Sequence, residues 1–328
     1  MKAFVTGITG FVGGTLTQRL LSDGYEVVGL ARNPSKYHFT HPKLQVVKGD
    51  LSNFHEMTSI VVNEELIDKE TTVFHCAATL GAAQASKKTY MRVNLDATIH
   101  LYSLAVKMNA LKFVFISSMG AAGPMGSFEN PMTEDMPAKP ISYYSISKKL
   151  SEDYLIKEGK LPTVILRPPV IYGPGMNKKS GAAMIFRGCR RRFFPVIGNA
   201  KNYICFSYID NVVEGIISCS QAVIEGVEIF FVSDETPYIT QELVNEIKSQ
   251  LGTNTRLIKI PYYPMLWLSW IVEKFSKLIR RNIGFNTELT KGLATNAYVF
   301  SIDKAKSSGF TPAVDLKAGI SRTLELLL

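Results

Sequence analysis

Gly7, Gly10 and Gly13 recur at three-residue intervals between an apolar strand, Lys2 to Val5, and a segment whose apolar residues Phe11, Val12, Leu16, Leu20 and Leu21 keep a helical period. Strand, glycine turn and helix in that order restrict the chain to folds in which a helix starts directly beyond a strand end. Each glycine then has a task. Gly7 turns the chain sharply, Gly10 leaves the backbone bare for close approach, and Gly13 lets the helix pack on the sheet. Amides at such a helix start face anionic groups, which suits the pyrophosphate of a dinucleotide. A tight turn without a ligand is the plainer alternative.

Apolar and amphipathic segments go on alternating to about residue 170. Strands are expected at 2–6, 25–30, 44–48, 72–76, 112–117 and 162–167, and helices at 11–22, near 54–66, at 87–109 and at 142–159. This alternation predicts an α/β fold, a Rossmann-type doubly wound parallel sheet. With 328 residues, 46% of them hydrophobic, the chain can bury a core of that size. Residues 1–174 are expected to form the dinucleotide-binding domain, joined by returning strands near 204–232. Residues 175–328 are expected to form mainly a smaller C-terminal substrate-binding lobe. Ligands in such sheets lie beyond the carboxyl ends of the strands. Gly7, Ala31, Asp50, Ala77, Ser118 and Pro168 all follow strand ends and so share one edge.

Tyr144 and Lys148 stand four residues apart in the segment 142–159, one turn apart on one helix face. An ammonium beside a phenol favours the phenolate, so Tyr144 can exchange a proton with an alcohol or carbonyl near neutral pH. Ser118, just past the strand 112–117, can hydrogen-bond the same oxygen. An amphipathic helix with a surface lysine has the same spacing, and it is the company of Ser118 and the glycine turn that sets this pair apart. His75 lies inside the strand run Val73 to Ala77, where a buried, hydrogen-bonded role is expected in place of proton transfer.

Thirty-seven basic and 28 acidic residues give a net charge of +9, unevenly spread. From Gly175 to Ile209 the chain carries Lys178, Lys179, Arg187, Arg190, Arg191, Arg192 and Lys201 and no acid. That stretch is either a solvated face or an attractor for an anionic substrate or lipid surface. No recognition motif accompanies the charge, so nucleic acid is not an expected partner. Cys76, Cys189, Cys205 and Cys219 form neither a C-x-x-C pair nor a zinc spacing, and no metal is expected. The chain opens in its first strand and no apolar run reaches spanning length, so a cytoplasmic protein without a leader is expected. A helix is predicted over 264–281, with Leu268, Ile271, Val272, Phe275 and Leu278 on one face and Trp267, Trp270, Lys274, Lys277 and Arg281 around the other. It reads as a lid packed on the core with a wet basic face, or as a peripheral membrane contact.

Further segments complete a pattern: Gly49-Asp50-Leu51, His75-Cys76-Ala77-Ala78, Val93-Asn94-Leu95, Phe115-Ile116-Ser117-Ser118, Thr133-Glu134-Asp135, Arg167-Pro168-Pro169-Val170-Ile171-Tyr172-Gly173-Pro174-Gly175 and Tyr208-Ile209-Asp210-Asn211-Val212. With the glycine and tyrosine motifs, in this order, the chain resembles an extended short-chain dehydrogenase/reductase of the NAD-dependent epimerase/dehydratase type over almost its whole length. The resemblance implies an NAD(P)-dependent enzyme that forms a homodimer and acts on a small-molecule substrate. It implies that Tyr144 transfers a proton, Ser118 positions the reacting oxygen and Lys148 binds the nicotinamide ribose. Gly7, Thr9, Gly10, Phe11, Val12 and Gly13 would hold the pyrophosphate, Asp50 and Leu51 the adenine, and Ala77, Ala78, Pro168 and Val170 the rest of the cofactor. Thr79, Met119, Gly120, Pro169, Met184 and Arg191 are the substrate-side candidates.

An acid at the end of the second strand would hold the ribose hydroxyls of NAD, whereas an arginine accommodates the additional phosphate of NADP. Ala31 stands where NAD-type members usually carry Asp, and Arg32 and Lys36 follow it, which favours NADP over NAD. Nucleotide-sugar members typically keep an arginine in the strand before the Asp-Asn element, and here that strand reads Tyr203-Ile204-Cys205-Phe206. Dehydratases place Thr-Asp-Glu where this chain has Ser118-Met119-Gly120. The Tyr208–Val212 element, Pro261-Tyr262-Tyr263-Pro264 and the Phe300–Pro312 ending resemble the branch of 3β-hydroxysteroid dehydrogenases, sterol dehydrogenases and dihydroflavonol reductases. The resemblance therefore implies hydride exchange with a secondary alcohol or ketone on a bulky, apolar, sterol-like or flavonoid-like molecule. A nucleotide-sugar 4-epimerase using the same three residues is the alternative, and a cofactor-binding scaffold without turnover the second.

Overall fold

Six short apolar segments of the N-terminal half become strands: β1 (Lys2–Thr6), β2 (Glu26–Ala31), β3 (Leu44–Lys48), β4 (Thr71–His75), β5 (Lys112–Ile116) and β6 (Thr163–Arg167). The computed structural model describes residues 1–80, 85–278, 287, 290 and 298–325. Between the strands run α1 (Phe11–Ser22), α2 (Phe54–Asn63), α3 (Lys87–Tyr90), α4 (Ala97–Lys107), α5 (Met119–Ala122) and α6 (Tyr143–Glu158). The chain then forms β7 (Val170–Tyr172), α7 (Gly181–Gly188), β8 (Phe193–Ile197), β9 (Tyr203–Ile204), β10 (Phe206–Tyr208), α8 (Ile209–Gln221) and β11 (Val227–Phe231).

β11 joins the first six strands in a seven-stranded sheet of order β11-β6-β5-β4-β1-β2-β3, parallel throughout. Helices cover both faces. In β1, Ala3 and Val5 pack in one apolar cluster with Leu16 and Leu20 of α1, while Phe4 points into the other with Leu101 and Tyr102 of α4. Alternate residues feeding two cores is what a strand buried on both sides requires, and it explains the nearly unbroken apolar runs. The strand order reverses between β1 and β4, the crevice where ligands of doubly wound sheets bind.

Three expectations need correction. The first returning strand, β10, does not enter the large sheet but pairs with β7 in a separate two-stranded sheet. Pro168 and Pro169, which lack backbone N–H groups, separate β6 from β7 and interrupt the ladder there. The helix predicted over 87–109 is α3 and α4 joined by a π-helical turn, Met91–Asp96. α2 stops at Asn63, short of residue 66, because Glu65 takes a left-handed φ of 48°.

β12 (Tyr238–Ile239) pairs antiparallel with β9, and after α9 (Thr240–Leu251) comes β13 (Arg256–Ile260), parallel to β8. α10 (Tyr262–Leu278), α11 (Asp303–Ser307) and α12 (Leu316–Glu325) follow. The buried Asp234 ties this region together, accepting from the Tyr208 amide at 2.9 Å, Asn211 Nδ2 at 2.6 Å and the Tyr238 hydroxyl at 3.0 Å. The Asn211 side-chain amide also donates to the Val314 carbonyl and accepts from the Val314 amide. The Tyr208–Val212 motif is thus a structural staple. On α10 the side expected to pack inwards is only partly covered: Ile271 and Val272 are half-buried, but Leu268 and Phe275 are 47% and 54% exposed, beside Trp267 at 67% and Trp270 at 52%. Arg281, placed on the same helix from sequence, lies outside the described residues.

Candidate active site

The glycine turn is built as its sequence requires. Gly7 has φ +75°, and a Cβ there would stand 2.9 Å from the Ala77 amide nitrogen beyond β4. The Gly10 amide donates to the Gly7 carbonyl at 2.8 Å, and a Cβ on Gly13 would sit 2.3 Å from that same oxygen. α1 therefore begins tight against the strand end. Its N-cap, Gly10, supplies no side-chain acceptor, so the first-turn amides of Phe11 and Val12 meet no capping group. Thr9 and Gly10 are exposed above them. Bare amides, a helix N-terminus and no intruding side chain fit a pyrophosphate.

Ala31 closes β2 and is buried, whereas Arg32 and Lys36 are exposed beyond it. Asp50 accepts from the Ser52 amide at 2.9 Å and the Ser52 hydroxyl at 2.8 Å. Partial burial works against its charge, but the Ser52 bonds and the nearby Arg32 and Arg92 outweigh it and hold the carboxyl below the ordinary carboxylate range. Asp50 is therefore an anion close to Arg32. Leu51 is buried against the second core. Ala77, Ala78 and Thr79 lie partly exposed after β4, with Pro168 and Pro169 buried and Val170 partly exposed after β6.

His75 is fully buried, with Nδ1 2.8 Å from the Thr6 hydroxyl and Nε2 2.9 Å from the Thr98 hydroxyl. Burial, with Lys148 nearby, drives its pKa down to about 3, so it stays neutral. It is a structural residue.

Ser118 follows β5 in extended conformation and caps α5, its Oγ accepting from the Gly120 amide at 3.1 Å. Gly120 must be small, because a Cβ there would meet Ser145 Oγ of α6 at 2.6 Å. That close approach packs α5 against α6. Against the expected lowering by Lys148, burial pushes the Tyr144 hydroxyl up to about 12; nearby Ser118 pulls it back and neighbouring Tyr90 adds to the rise. The Tyr90 ring stands edge-on to Tyr144, 6.1 Å between centroids.

Lys148 is buried one turn further along α6, its Nζ donating to the Ile116 carbonyl at 2.7 Å and lying over the Phe115 ring. Burial lowers its pKa to about 8, opposed by Cys76 and Glu152. The ammonium thus fastens α6 to the end of β5 in this state of the chain.

Of the groups that hold these three in place, sequence reasoning marked Asn94 within a motif and passed over Glu152. Glu152, wholly buried, accepts from Ser117 Oγ at 2.5 Å and from Arg167 Nε and Nη2 at 3.0 and 2.7 Å. It clamps α6 across the ends of β5 and β6. Asn94, in the π-helical turn, accepts from the Thr79 amide at 2.8 Å and donates to the Thr79 carbonyl at 3.1 Å and to Ser147 Oγ at 3.0 Å. The signal for Glu152 was its spacing of one and two turns from Lys148 and Tyr144; for Tyr90 there was none. Met119 and Gly120 lie beside Ser118, partly exposed, whereas Met184 on α7, 57% exposed, and Arg191 face solvent. From Asn202 to Ile247 the sequence holds no Lys or Arg, so the strands at Tyr203–Tyr208 carry no cation.

The profile of the NAD dependent epimerase/dehydratase family matches residues 3–231. A mouse sterol-4-alpha-carboxylate 3-dehydrogenase, decarboxylating, is 28% identical, the alignment covering 99% of this chain and 90% of the relative. A UDP-glucose 4-epimerase of Vibrio cholerae is 26% identical over 99% and 94% of the two chains. A 2-alkyl-3-oxoalkanoate reductase of Stenotrophomonas maltophilia (strain K279a) is 26% identical over 98% of each.

Proposed function

The chain belongs to the NAD dependent epimerase/dehydratase family, and from that premise we propose that it exchanges hydride between a nicotinamide cofactor and a secondary alcohol or ketone on a bulky, apolar substrate. The observation that carries the reading is the Ser118 hydroxyl beside Tyr144 at the carboxyl edge of the sheet, near enough to lower the Tyr144 pKa, with Lys148 one helical turn away. A bound nicotinamide supplies or accepts the hydride. Ser118 would orient the reacting oxygen, Tyr144 would give it a proton or take one, and Lys148 would hold the nicotinamide ribose. At neutral pH Tyr144 is held as the neutral acid, the form that reduction needs.

The substrate reading is supported by what the site lacks and by what two relatives share. No cation stands on Tyr203–Tyr208 to grip a diphosphate. In the names of both the sterol dehydrogenase and the oxoalkanoate reductase, the reacting carbon is one bond from the carbon that bears a carboxylate. A branched, apolar 3-hydroxy or 3-oxo acid is therefore the first class to try. The lobe 175–328 would enclose its apolar part, with the cations between Lys178 and Lys201 attracting its carboxylate. Ala31, Arg32 and Lys36 favour NADP, and a homodimer is part of this reading. The similarity to UDP-glucose 4-epimerase favours a second one, in which the same trio oxidises and reduces a sugar.

Following nicotinamide absorbance with NADPH and NADH against 2-alkyl-3-oxo acids, steroid ketones and UDP-glucose separates them. Net cofactor oxidation with an apolar ketone is expected. Interconversion of UDP-glucose and UDP-galactose without net absorbance change would replace this reading with the epimerase one.

A further inference from the structure

α10 turns a row of aromatic side chains outwards. Tyr263, Trp267 and Trp270 recur at helical spacing with exposures of 79%, 67% and 52%, flanked by Leu268 and Phe275 at about half exposure. The opposite side is the packed one: Ser269 is completely buried, and Glu273 accepts from the Thr287 hydroxyl at 2.8 Å. A surface helix that partly buries Met265, Leu266, Ile271 and Val272 yet leaves Tyr263, Trp267 and Trp270 more than half exposed carries more aromatic surface than a free-standing protein usually shows.

The charges say what covers it. Glu273, the only acid on α10, faces inward, while Lys274 lies on the outer side with its ammonium 5.6 Å from the centre of the Trp270 ring. β13, which leads into α10, adds exposed Arg256, Ile258 and Lys259. A second copy of this chain would bring these cations against their like, in a protein of net charge +9. An anionic bilayer complements them, and Trp and Tyr are the side chains that settle at its headgroup level. Among the described residues no helix is long and apolar enough to cross a membrane, so contact lies in the plane of the surface.

We propose that the outer side of α10 docks the protein on an anionic lipid surface, with Trp267 and Trp270 in the headgroup region and Lys274 among the lipid phosphates. This is an interaction surface separate from the Ser118–Tyr144 centre, and it stands whichever substrate that centre takes. It would give an apolar substrate a route from the bilayer to the site.

The test is direct because Trp267 and Trp270 are the only two tryptophans in the chain, so intrinsic emission reports α10 alone. The full chain is mixed with vesicles of phosphatidylcholine containing about one-third phosphatidylglycerol, and with pure phosphatidylcholine vesicles. Expected are a blue shift, quenching by brominated acyl chains and co-sedimentation with the anionic vesicles, weakened by salt and much smaller with neutral ones. W267A/W270A should lower co-sedimentation ~tenfold or more. K274E, which keeps both tryptophans, should reduce the blue shift with anionic vesicles and not with neutral ones. Three results overturn the proposal. They are emission unmoved by either vesicle; emission already blue-shifted in the dilute monomer, which makes the cover another part of the chain; and a shift that follows protein concentration with a doubled mass, which makes it a second copy.

Discussion

Lys148 shows how this site sets function against stability. Its ammonium is buried, and burial lowers its pKa from 10.5 to about 8. Between those values the unfolded chain binds the proton more tightly than the folded one, so unfolding free energy rises with pH across that window. Below about pH 8 both states are protonated and the whole cost of burying the charge remains. Lys148→Met should therefore stabilise the protein at pH 7 by on the order of 1–3 kcal/mol and abolish turnover. Thermal unfolding at pH 7 and pH 10 checks this; the gain should shrink at the higher pH, and a loss of stability at pH 7 would show that the Ile116 contact outweighs the burial. Tyr144, Lys148 and Ser118 were singled out by spacing together with the glycine turn and the strand end, because groups at a helix face and a strand end leave a short-range mark. Tyr90 left none, since its packing on Tyr144 is decided by how α3 meets α6.

At the scale of elements, the clamp between α6 and the central strands rests on one buried ion pair. Removing one partner of such a pair strands the other charge, which costs about 3–5 kcal/mol. Glu152→Ala should lose that much in a denaturant titration, and E152M/R167M should recover much of it. Equal loss in the single and double variants would mean that shape, not charge, holds α6. The strands of the large sheet were legible because burial on both faces makes them continuous apolar runs, and the helices near them because their periods are regular. The π-helical turn was not, because Asn94 sits there to reach Thr79 and Ser147, both distant in sequence. β10 was misplaced for a related reason: whether a short strand joins the large sheet depends on the path that Pro168 and Pro169 impose after β6. α10 carried its period plainly, yet period alone does not say which side of a helix is packed.

Over the whole molecule, the edge of the sheet would join two ends of the proposed cofactor site. At the adenine end, Arg32 is exposed beside an ionised Asp50, with no acid at Ala31 to hold ribose hydroxyls. An arginine can meet the additional phosphate of NADP with charge-assisted hydrogen bonds. Binding titrations of NADPH and NADH should favour NADPH, and Arg32→Ala should shrink the difference by about tenfold or more; native preference for NADH would assign Arg32 to stacking on adenine. At the other end, the proposed chemistry converges on the Tyr144 hydroxyl. The most direct measurement is single-turnover oxidation of NADPH by a branched 3-oxo acid, wild type against Tyr144→Phe, with cofactor affinity measured in parallel. Wild type should oxidise the cofactor one-for-one with ketone, and the Phe variant should bind it nearly as well and react on the order of a hundred- to ten-thousand-fold more slowly. A Phe variant as fast as wild type, with the same affinity, would remove Tyr144 from the proton's path and contradict the account.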